Sequence, residues 1–381
     1  MEGFEMGKVK VLTARQAADL IKDGDTVTLS GFVANGIAEA LNAAAEERFL
    51  ETGHPKDLTL FWVAGTGNKD GSHADHYAHE GMVKKVIGGH FNFVPKICEM
   101  LSENKIEGYN VPQGAIAQML RDNAARKVGT ISHVGIGTFA DPRNGGGRLN
   151  EKTKEDIVKI IELEGQEQLF YPRIPLDVAF IRGTYADELG NITLEKEMAP
   201  LDATSQAMAV HNNGGLVVVQ VERVVKAGHL DPKLVKIPGI YVDAVVECPA
   251  DDPKQSQSIN CTYDPAYAGN TQVPVSSLEP KKLDAKKIIG RRAAMELKKN
   301  VVVNLGVGVP EWVSSVAAEE GVADEMTLTV ECGPVGGVPG GGLRFGGSVN
   351  AQAYMDEGYQ FDFYDGGGLD LCFLGLAEVD N

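Results

Sequence analysis

One pattern occurs twice in this chain, as Asp25-Thr-Val-Thr-Leu-Ser-Gly-Phe-Val-Ala-Asn-Gly-Ile-Ala-Glu-Ala-Leu41 and as Asn300-Val-Val-Val-Asn-Leu-Gly-Val-Gly-Val-Pro-Glu-Trp-Val-Ser-Ser-Val316. Each copy is a β-branched run that breaks into glycine and continues as a helix-like segment. A second apolar run then follows, Leu58-Thr-Leu-Phe-Trp-Val-Ala-Gly65 in the first copy and Met326-Thr-Leu-Thr-Val-Glu-Cys-Gly333 in the second. A strand–helix–strand unit that occurs twice predicts two α/β domains of the same kind.

The two copies differ at one position that matters for function. Aligning Gly65 with Gly333 places Val63 opposite Glu331. A strand that breaks into glycine puts its last side chains at the carboxyl edge of a sheet, where open α/β folds bind ligands. The duplicated scaffold does not need a glutamate there, so we predict that Glu331 is catalytic. The structural alternative is a strand-end glutamate that caps a helix or pairs with a lysine.

Composition excludes several classes of function. The chain has 381 residues, is 43% hydrophobic and carries a formal net charge of −17, which argues against nucleic-acid or anionic-membrane binding. No apolar run reaches transmembrane length. The five cysteines are odd in number and lack CxxC spacing, which disfavours disulfides and structural zinc and fits a reducing cytoplasm. The residues before Lys8 resemble a leader or cloning extension.

Strand-like and helix-like segments alternate over the first 250 residues, which predicts a mostly parallel sheet with helices on both faces. The expected strands are Val27–Leu29, Leu58–Val63, Lys85–Ile87, Ile131–Ile136, Val178–Ile181 and Leu216–Val221. We place a first domain at 8–248, a linker or surface loop at 249–283 and a second domain at 284–381. A helix should begin near Asp284, with an apolar face formed by Ile288, Ile289, Ala293 and Leu297.

The second copy stops earlier than the first. The run that begins at Val178 continues to the strand Gly215-Leu-Val-Val-Val-Gln-Val221, whereas Asp370-Leu-Cys-Phe-Leu-Gly375 matches only its beginning. The second domain is therefore expected to be incomplete, with its last strands on a further C-terminal segment or on a second chain.

Three other motifs are weaker candidates for function. Gly306-Val-Gly-Val-Pro-Glu311 follows a strand but has glutamate where the dinucleotide fingerprint needs glycine. His73, His76 and His79 are spaced by three, near Glu80 and His90, but three ligands from one helical segment are awkward, so we predict no metal. Cys332 should point away from Glu331 across the strand, which disfavours thiol catalysis.

Gln113 lies in the turn Asn110-Val-Pro-Gln-Gly114, just before a helix-like segment. A side-chain amide in this position could donate a hydrogen bond to an oxyanion. Ordinary turn chemistry explains the same residues equally well.

Taken together, these motifs resemble those of the family I CoA-transferases, and most closely its single-chain members that act on propionate or acetate. The resemblance covers Lys8 to Asn381 and is carried by five stretches: Asp23–Phe32 with Gly36, Pro112-Gln113-Gly114, Val330-Glu-Cys-Gly333, Gly337–Gly342 and Phe361–Asp370. Ser30 stands where a second glycine is usual in the family. Ala38-Glu39-Ala40 replaces the usual Pro-Glu-Asn.

The resemblance implies two open, mostly parallel α/β domains of the NagB/RpiA/CoA-transferase type. It also implies a ping-pong reaction in which Glu331 is the nucleophile and Gln113 contributes to the oxyanion environment. The loops around the substrate would contain Gly31, Gly333, Gly336, Gly337, Gly366 and Gly367.

Under the same resemblance, the partners are an acyl-CoA and a short-chain carboxylate such as acetate, propionate or lactate. Coenzyme A is a substrate, and no other cofactor and no metal is implied. The enzyme is expected to be a cytoplasmic homo-oligomer. An acyl-CoA hydrolase on the same scaffold and a non-catalytic binding protein remain the alternatives.

Overall fold

The computed structural model describes residues 7–376, 378 and 379. Most of the N-terminal stretch interpreted as a leader, and the last residues of the predicted second domain, lie outside this range. The chain forms two compact units, here called the first unit (Met1–Leu194 and Asp202–Ile259) and the second unit (Glu195–Leu201 and Asn260–Asn381). The predicted linker at 249–283 is thus divided between the two units at Ile259.

Within the described part of the first unit, the helices are α1 (Ala14–Ala18), α2 (Glu39–Thr52), α3 (Pro95–Ser102), α4 (Gln113–Ala124) and α5 (Ala203–Asn212). The strands are β1 (Lys10–Leu12), β2 (Thr26–Leu29), β3 (Leu58–Trp62), β4 (Val83–Gly88), β5 (Glu107–Asn110), β6 (Gly129–Ser132), β7 (Lys159–Leu163), β8 (Gln166–Pro172), β9 (Val178–Arg182), β10 (Tyr185–Asp187), β11 (Ile192–Thr193), β12 (Leu216–Val221), β13 (Arg223–Val225), β14 (Val235–Ile237) and β15 (Ala244–Glu247).

The main sheet of the first unit is parallel throughout, with the strand order β1-β15-β12-β9-β2-β3-β4-β5. Side chains alternate between its faces. Phe61 belongs to the buried cluster that includes α4 and α5, whereas Leu60 and Trp62 belong to the cluster that includes α1, α2 and α3. Both faces are therefore covered by helices, which confirms the predicted doubly wound architecture.

One predicted strand belongs to a different sheet. The segment expected at Ile131–Ile136 is β6, which ends at Ser132 and pairs antiparallel with β8; the latter pairs antiparallel with β7. Residues 133–136 form a turn. Local pairing with the β7–β8 hairpin takes this strand out of the parallel order, and Ile131 is 48% exposed on the small sheet.

In the described part of the second unit, the helices are α6 (Ala285–Ala294), α7 (Glu311–Glu319) and α8 (Glu357–Phe363). The strands are β16 (Val302–Leu305), β17 (Thr327–Thr329), β18 (Pro334–Val335), β19 (Val338–Pro339), β20 (Ser348–Val349), β21 (Ala353–Tyr354) and β22 (Leu371–Phe373). The sheet order is β21-β18-β17-β16-β22, in which β16 is parallel to both β17 and β22 while β18 runs antiparallel to its neighbours.

Helix α6 begins where the sequence predicted. The Asp284 carboxylate caps it by accepting the Lys287 backbone N–H at 2.9 Å. The predicted apolar face is wrong in part: Leu297 lies beyond the end of α6 at Ala294, and Ile288 and Ile289 are 59% and 53% exposed. Ala293 and Leu297 do pack against the core of the second unit.

The strand registers confirm the duplication. In the first unit the partners are Thr26↔Thr59, Val27↔Leu60 and Thr28↔Phe61, and in the second they are Val302↔Thr327, Val303↔Leu328 and Asn304↔Thr329. This is the register that results from aligning Gly65 with Gly333. Val63 and Glu331 each lie two residues beyond the last of these pairs, so they occupy equivalent positions.

In both copies, the aspartate that precedes the third parallel strand (β9 or β22) forms the same two hydrogen bonds to the start of the first strand (β2 or β16). Asp177 accepts the Thr26 backbone N–H through its carboxylate at 2.8 Å, and Asp370 accepts the Val302 backbone N–H at the same distance. In return, each aspartate donates its own backbone N–H to the carbonyl of that partner, at 2.9 Å and 3.1 Å. The two copies therefore share not only a sequence pattern but also the same hydrogen bonds at equivalent positions.

No helix within the described residues combines the length and apolar character needed to cross a bilayer.

Candidate active site

Glu331 lies two residues beyond the end of β17, at the tip of the turn that reverses the chain into β18. This turn is closed by Gly333, whose N–H bonds to the Val330 carbonyl at 3.1 Å, and by Val330, whose N–H bonds to the Pro334 carbonyl at 3.3 Å. Because β16 and β17 are parallel, the tip stands at the carboxyl edge of the second unit's sheet, as the sequence predicted.

The Glu331 side chain is partly buried and accepts a hydrogen bond from a side chain on the neighbouring strand. Asn304, on the neighbouring strand β16, donates from Nδ2 to Glu331 Oε2 at 3.2 Å. Burial raises the pKa of Glu331, while hydrogen bonds from its own backbone N–H and from Asn304 act in the opposite direction. Loss of water around the carboxylate dominates, so this group is more basic than an ordinary glutamate.

A polar network extends behind Asn304. The Tyr364 hydroxyl lies 3.4 Å from Asn304 Oδ1 and donates to Thr329 Oγ1 at 2.6 Å, while Gln360 Nε2 donates to the same hydroxyl at 2.7 Å. Burial raises the pKa of Tyr364, which keeps the phenol protonated. Sequence analysis missed this network. The available signal was Asn304 itself, a polar residue inside the apolar run Val301–Leu305.

The glycines after Glu331 are explained first by the backbone. Gly333 and Gly337 have φ of +142° and +74°, and a Cβ at Gly337 would lie 2.2 Å from the Val349 carbonyl oxygen. The N–H of Gly333 is used inside the turn, and the N–H of Gly336 bonds to the Leu328 carbonyl at 2.8 Å. These two N–H groups are therefore not spare donors for an oxyanion. A place for these glycines in a substrate loop stays a prediction.

Gly366 and Gly367 lie in the tight turn Tyr364–Gly368, which follows α8. A Cβ built on either glycine would meet no atom within 4 Å. The φ of +90° at Gly367 favours glycine there, whereas neither packing nor a positive φ explains Gly366. A place for both residues beside the substrate stays a prediction.

Gly31 and Gln113 belong to the first unit. Gly31 follows β2, and a Cβ there would lie 2.2 Å from Thr66 Oγ1. Gln113 is the first residue of α4, directly after β5. Since β2 and β5 are members of one parallel sheet, both residues lie at its carboxyl edge. Their participation in one site with Glu331 of the second unit stays a prediction.

Glu311, the first residue of α7, is a functional candidate that sequence analysis did not single out. Its Oε1 accepts the Gly308 N–H at 2.7 Å and its Oε2 accepts the Gly342 N–H at 2.9 Å. Burial raises the pKa of Glu311, and these two bonds oppose the effect. The carboxylate thereby joins the glycine turn after β16 to the Gly340–Gly342 loop.

Two of the histidines considered as metal ligands, His76 and His79, are hydrogen-bonded to carboxylates. His76 bonds through Nε2 to Glu39 at 2.7 Å and through Nδ1 to Glu46 at 2.5 Å, and His79 bonds to Glu46 at 2.7 Å. His73 is completely buried. Among the described residues, no group of three or more His, Cys, Asp or Glu could hold a metal ion.

Cys332 offers no support for thiol catalysis. Its side chain is completely buried, and its Sγ donates to the Gly346 carbonyl at 3.2 Å.

Comparison with known proteins agrees with this fold. Residues 11–248 match the family model described as Coenzyme A transferase. The chain is 44% identical over 377 residues to acetate CoA-transferase YdiF of Escherichia coli K12, an alignment that covers 98% of this chain and 70% of YdiF. It is 43% identical over 371 residues to caffeate CoA-transferase of Acetobacterium woodii, covering 97% of this chain and 71% of that protein.

A solved structure is similar over the same range. The acyl-CoA transferase YdiF of Escherichia coli O157:H7, crystallised as a thioester complex with CoA, superimposes with a TM-score of 0.90 at 42% identity, covering 98% of this chain and 70% of YdiF. A duplicated parallel α/β fold with these relatives defines an enzyme that transfers coenzyme A between an acyl-CoA and a carboxylate. The chain belongs to the coenzyme A transferase family.

Proposed function

We propose that this enzyme exchanges coenzyme A between a short-chain acyl-CoA and a small carboxylic acid by a ping-pong mechanism, with Glu331 as the nucleophile. One observation carries the proposal: Glu331 stands at the carboxyl edge of the sheet, hydrogen-bonded to Asn304, where the duplicated unit has Val63. The names of the relatives, acetate and caffeate CoA-transferase, support carboxylate acceptors, and the thioester complex of YdiF with CoA supports a covalent step.

The first half-reaction starts with one thioester and one carboxylate and ends with one thioester and one carboxylate. A Glu331 oxygen attacks the acyl carbonyl, the C–S bond breaks and CoA leaves as the thiolate, which yields an acyl-glutamyl anhydride. The thiolate then attacks Cδ of Glu331, the anhydride C–O bond breaks and the first acid leaves as its carboxylate. A glutamyl-CoA thioester remains, and an acceptor carboxylate reverses these steps.

The environment of Glu331 fits this task. Attack requires the ionised carboxylate, and a carboxylate with a raised pKa is a stronger nucleophile than a fully solvated one once it has lost its proton. Uncatalysed attack on a thioester is slow, so binding energy from the nucleotide end of CoA must be used at the reacting carbon.

Intact-mass measurement tests the nucleophile. Incubation with propionyl-CoA should add the mass of CoA minus one water, and peptide mapping should locate the adduct at Glu331. Glu331→Gln should form none, whereas Glu296→Gln, which alters an exposed glutamate paired with Arg292, should form it normally. An adduct that persists in Glu331→Gln contradicts the proposal.

The acceptor is tested with the same adduct. Acetate should discharge it and produce acetyl-CoA in equal amount. Discharge that yields only free CoA, at a rate independent of acetate, would establish the hydrolase instead. Short-chain substrate preference, cytoplasmic location and homo-oligomeric assembly stay predictions.

A further inference from the structure

We propose that Asn304 is a catalytic residue of this reaction, whose side-chain amide stabilises the oxyanion that forms on Glu331 itself. The inference rests on the proposed function of Glu331 and adds a second residue that acts at one step of the reaction. It concerns the stage at which the glutamyl carbonyl is the electrophile, after Glu331 has ceased to be the nucleophile.

The geometry distinguishes the two carboxylate oxygens. Asn304 Nδ2 donates to Oε2 of Glu331 at 3.2 Å, which leaves Oε1 as the attacking atom. When Oε1 attacks the acyl carbonyl, it becomes the bridging oxygen of the anhydride and Oε2 becomes the glutamyl carbonyl oxygen. Attack of the CoA thiolate on Cδ then moves negative charge onto Oε2. A donor already aimed at the atom where charge develops is the requirement for an oxyanion site.

The backbone near Glu331 limits the other possible donors. The Gly333 N–H is bonded to the Val330 carbonyl in the reversing turn, and the Gly336 N–H is bonded to the Leu328 carbonyl of β17. The Asn304 amide is the donor that the described residues place on Oε2.

The position of the Tyr364 hydroxyl, 3.4 Å from Asn304 Oδ1, agrees with the amide orientation that this role requires. Tyr364 Oη lies near Asn304 Oδ1, and the phenol is itself fixed by Thr329 and Gln360. The amide oxygen therefore faces the phenol while the amide nitrogen faces the carboxylate. Asn304 is also 8% exposed, and a hydrogen bond gains strength where water is scarce.

The duplication supplies an independent argument. The registers place Thr28 of the first unit at the position of Asn304, just as they place Val63 at the position of Glu331. Thr28 Oγ1 has a different partner, since it accepts a hydrogen bond from Gln206 Nε2 at 2.8 Å. The amide and the carboxylate thus occur together in one copy and are both missing from the other.

A reaction that attacks only the glutamyl carbonyl isolates the role of Asn304. The glutamyl-CoA adduct is formed with propionyl-CoA, freed of propionate by desalting, and then followed by mass as water or acetate discharges it. Both attacks place charge on Oε2. We expect Asn304→Ala to slow each discharge by roughly 100-fold, the usual effect of removing one oxyanion donor. The acetate concentration for half-maximal rate should hardly change, because the donor acts in the transition state.

Two further variants keep the test decisive. Asn304→Thr installs the residue that the equivalent strand of the first unit accommodates, so it guards against a misfolded Asn304→Ala and should also discharge slowly. Asn270→Ala removes an exposed amide of the same unit, which bonds to the Glu195 carbonyl, and should discharge at the wild-type rate. Rates are expressed per adduct formed, which removes any inactive fraction.

The possible outcomes distinguish failure of this inference from failure of the proposed function. Adducts of Asn304→Ala and Asn304→Thr that discharge as fast as the wild-type adduct overturn the role of Asn304 while leaving Glu331 as nucleophile. Failure of the wild-type enzyme to form any adduct overturns the proposed function itself. Slow discharge in both variants with normal discharge in Asn270→Ala supports the role assigned to Asn304.

Discussion

Val63 and Glu331 occupy the same position in the two units, each two residues beyond the last strand pair that the copies share. Val63 is 8% exposed and belongs to a buried apolar cluster, whereas Glu331 carries a carboxylate on a reversing turn. The two copies therefore accept different residues at this position, which supports the proposal that the glutamate serves the reaction.

Replacing Glu331 should stabilise the protein while abolishing activity. The folded-state pKa of Glu331 is raised, so the native protein binds its proton more tightly than the unfolded chain does. Stability is then lost as pH rises from the ordinary glutamate pKa through the folded value. Glu331→Gln removes this loss, and its melting temperature should exceed that of the wild type at pH 8 by about 2–4 °C, roughly 1 kcal/mol.

That gain should shrink towards pH 4, where the wild-type carboxyl is protonated in both states. Calorimetry of Glu331→Gln beside Glu296→Gln across this pH range provides the check. An advantage of Glu331→Gln that is equal at pH 4 and pH 8 would contradict the role of burial.

Introducing the glutamate into the first unit should harm the protein without adding a second site. Val63→Glu buries a carboxylate among apolar side chains such as Phe61 and Ile87. We expect a loss of about 2–4 kcal/mol in urea unfolding, from burial of an uncompensated polar group. Val63→Thr, of similar shape, should lose less. Mapping of the CoA adduct in Val63→Glu should still find Glu331 alone, and an adduct at position 63 would contradict the prediction that the first unit has no second site.

Removing the Glu311 carboxylate should loosen two glycine turns together. Glu311→Ala leaves the Gly308 and Gly342 N–H groups without their acceptor, at a cost of about 1–3 kcal/mol. Hydrogen exchange should speed up at both amides, and we expect turnover to fall roughly 10-fold because the loops are less ordered. Glu319→Ala, on the same helix and paired with Lys287, is the matched control. Unchanged exchange at Gly342 in Glu311→Ala would contradict this assignment.

His76 should stabilise the first unit in a pH-dependent way. Burial lowers the pKa of His76, but the hydrogen bonds and charges of Glu39 and Glu46 outweigh it and leave the pKa raised. The stabilisation is then complete below the unfolded pKa of about 6.5 and is lost as pH rises through the folded value.

His76→Asn should accordingly lower the melting temperature more at pH 6 than at pH 9. His229→Asn, an exposed substitution, controls for loss of a histidine. A deficit of His76→Asn that is the same at both pH values would show that packing, and not the imidazolium, is responsible.

Local sequence patterns were sufficient for the repeat, for the carboxyl-edge position of Glu331 and for the helix start at Asp284, because each depends on neighbouring residues and on strand periodicity. They were not sufficient for β6. A β-branched run predicts a strand but not its partner, and β6 pairs with β8, about 40 positions further along the chain.

The sequence by itself determined that two like α/β units exist and that only one of them carries a glutamate at the shared strand end. Only the tertiary structure decided what surrounds that glutamate. Asn304 and Tyr364 are separated from Glu331 by 27 and 33 positions, and Gly342 is separated from Glu311 by 31. Hydrogen bonds between such distant residues follow from strand register and from the paths of turns, which bring into contact side chains that no local pattern relates.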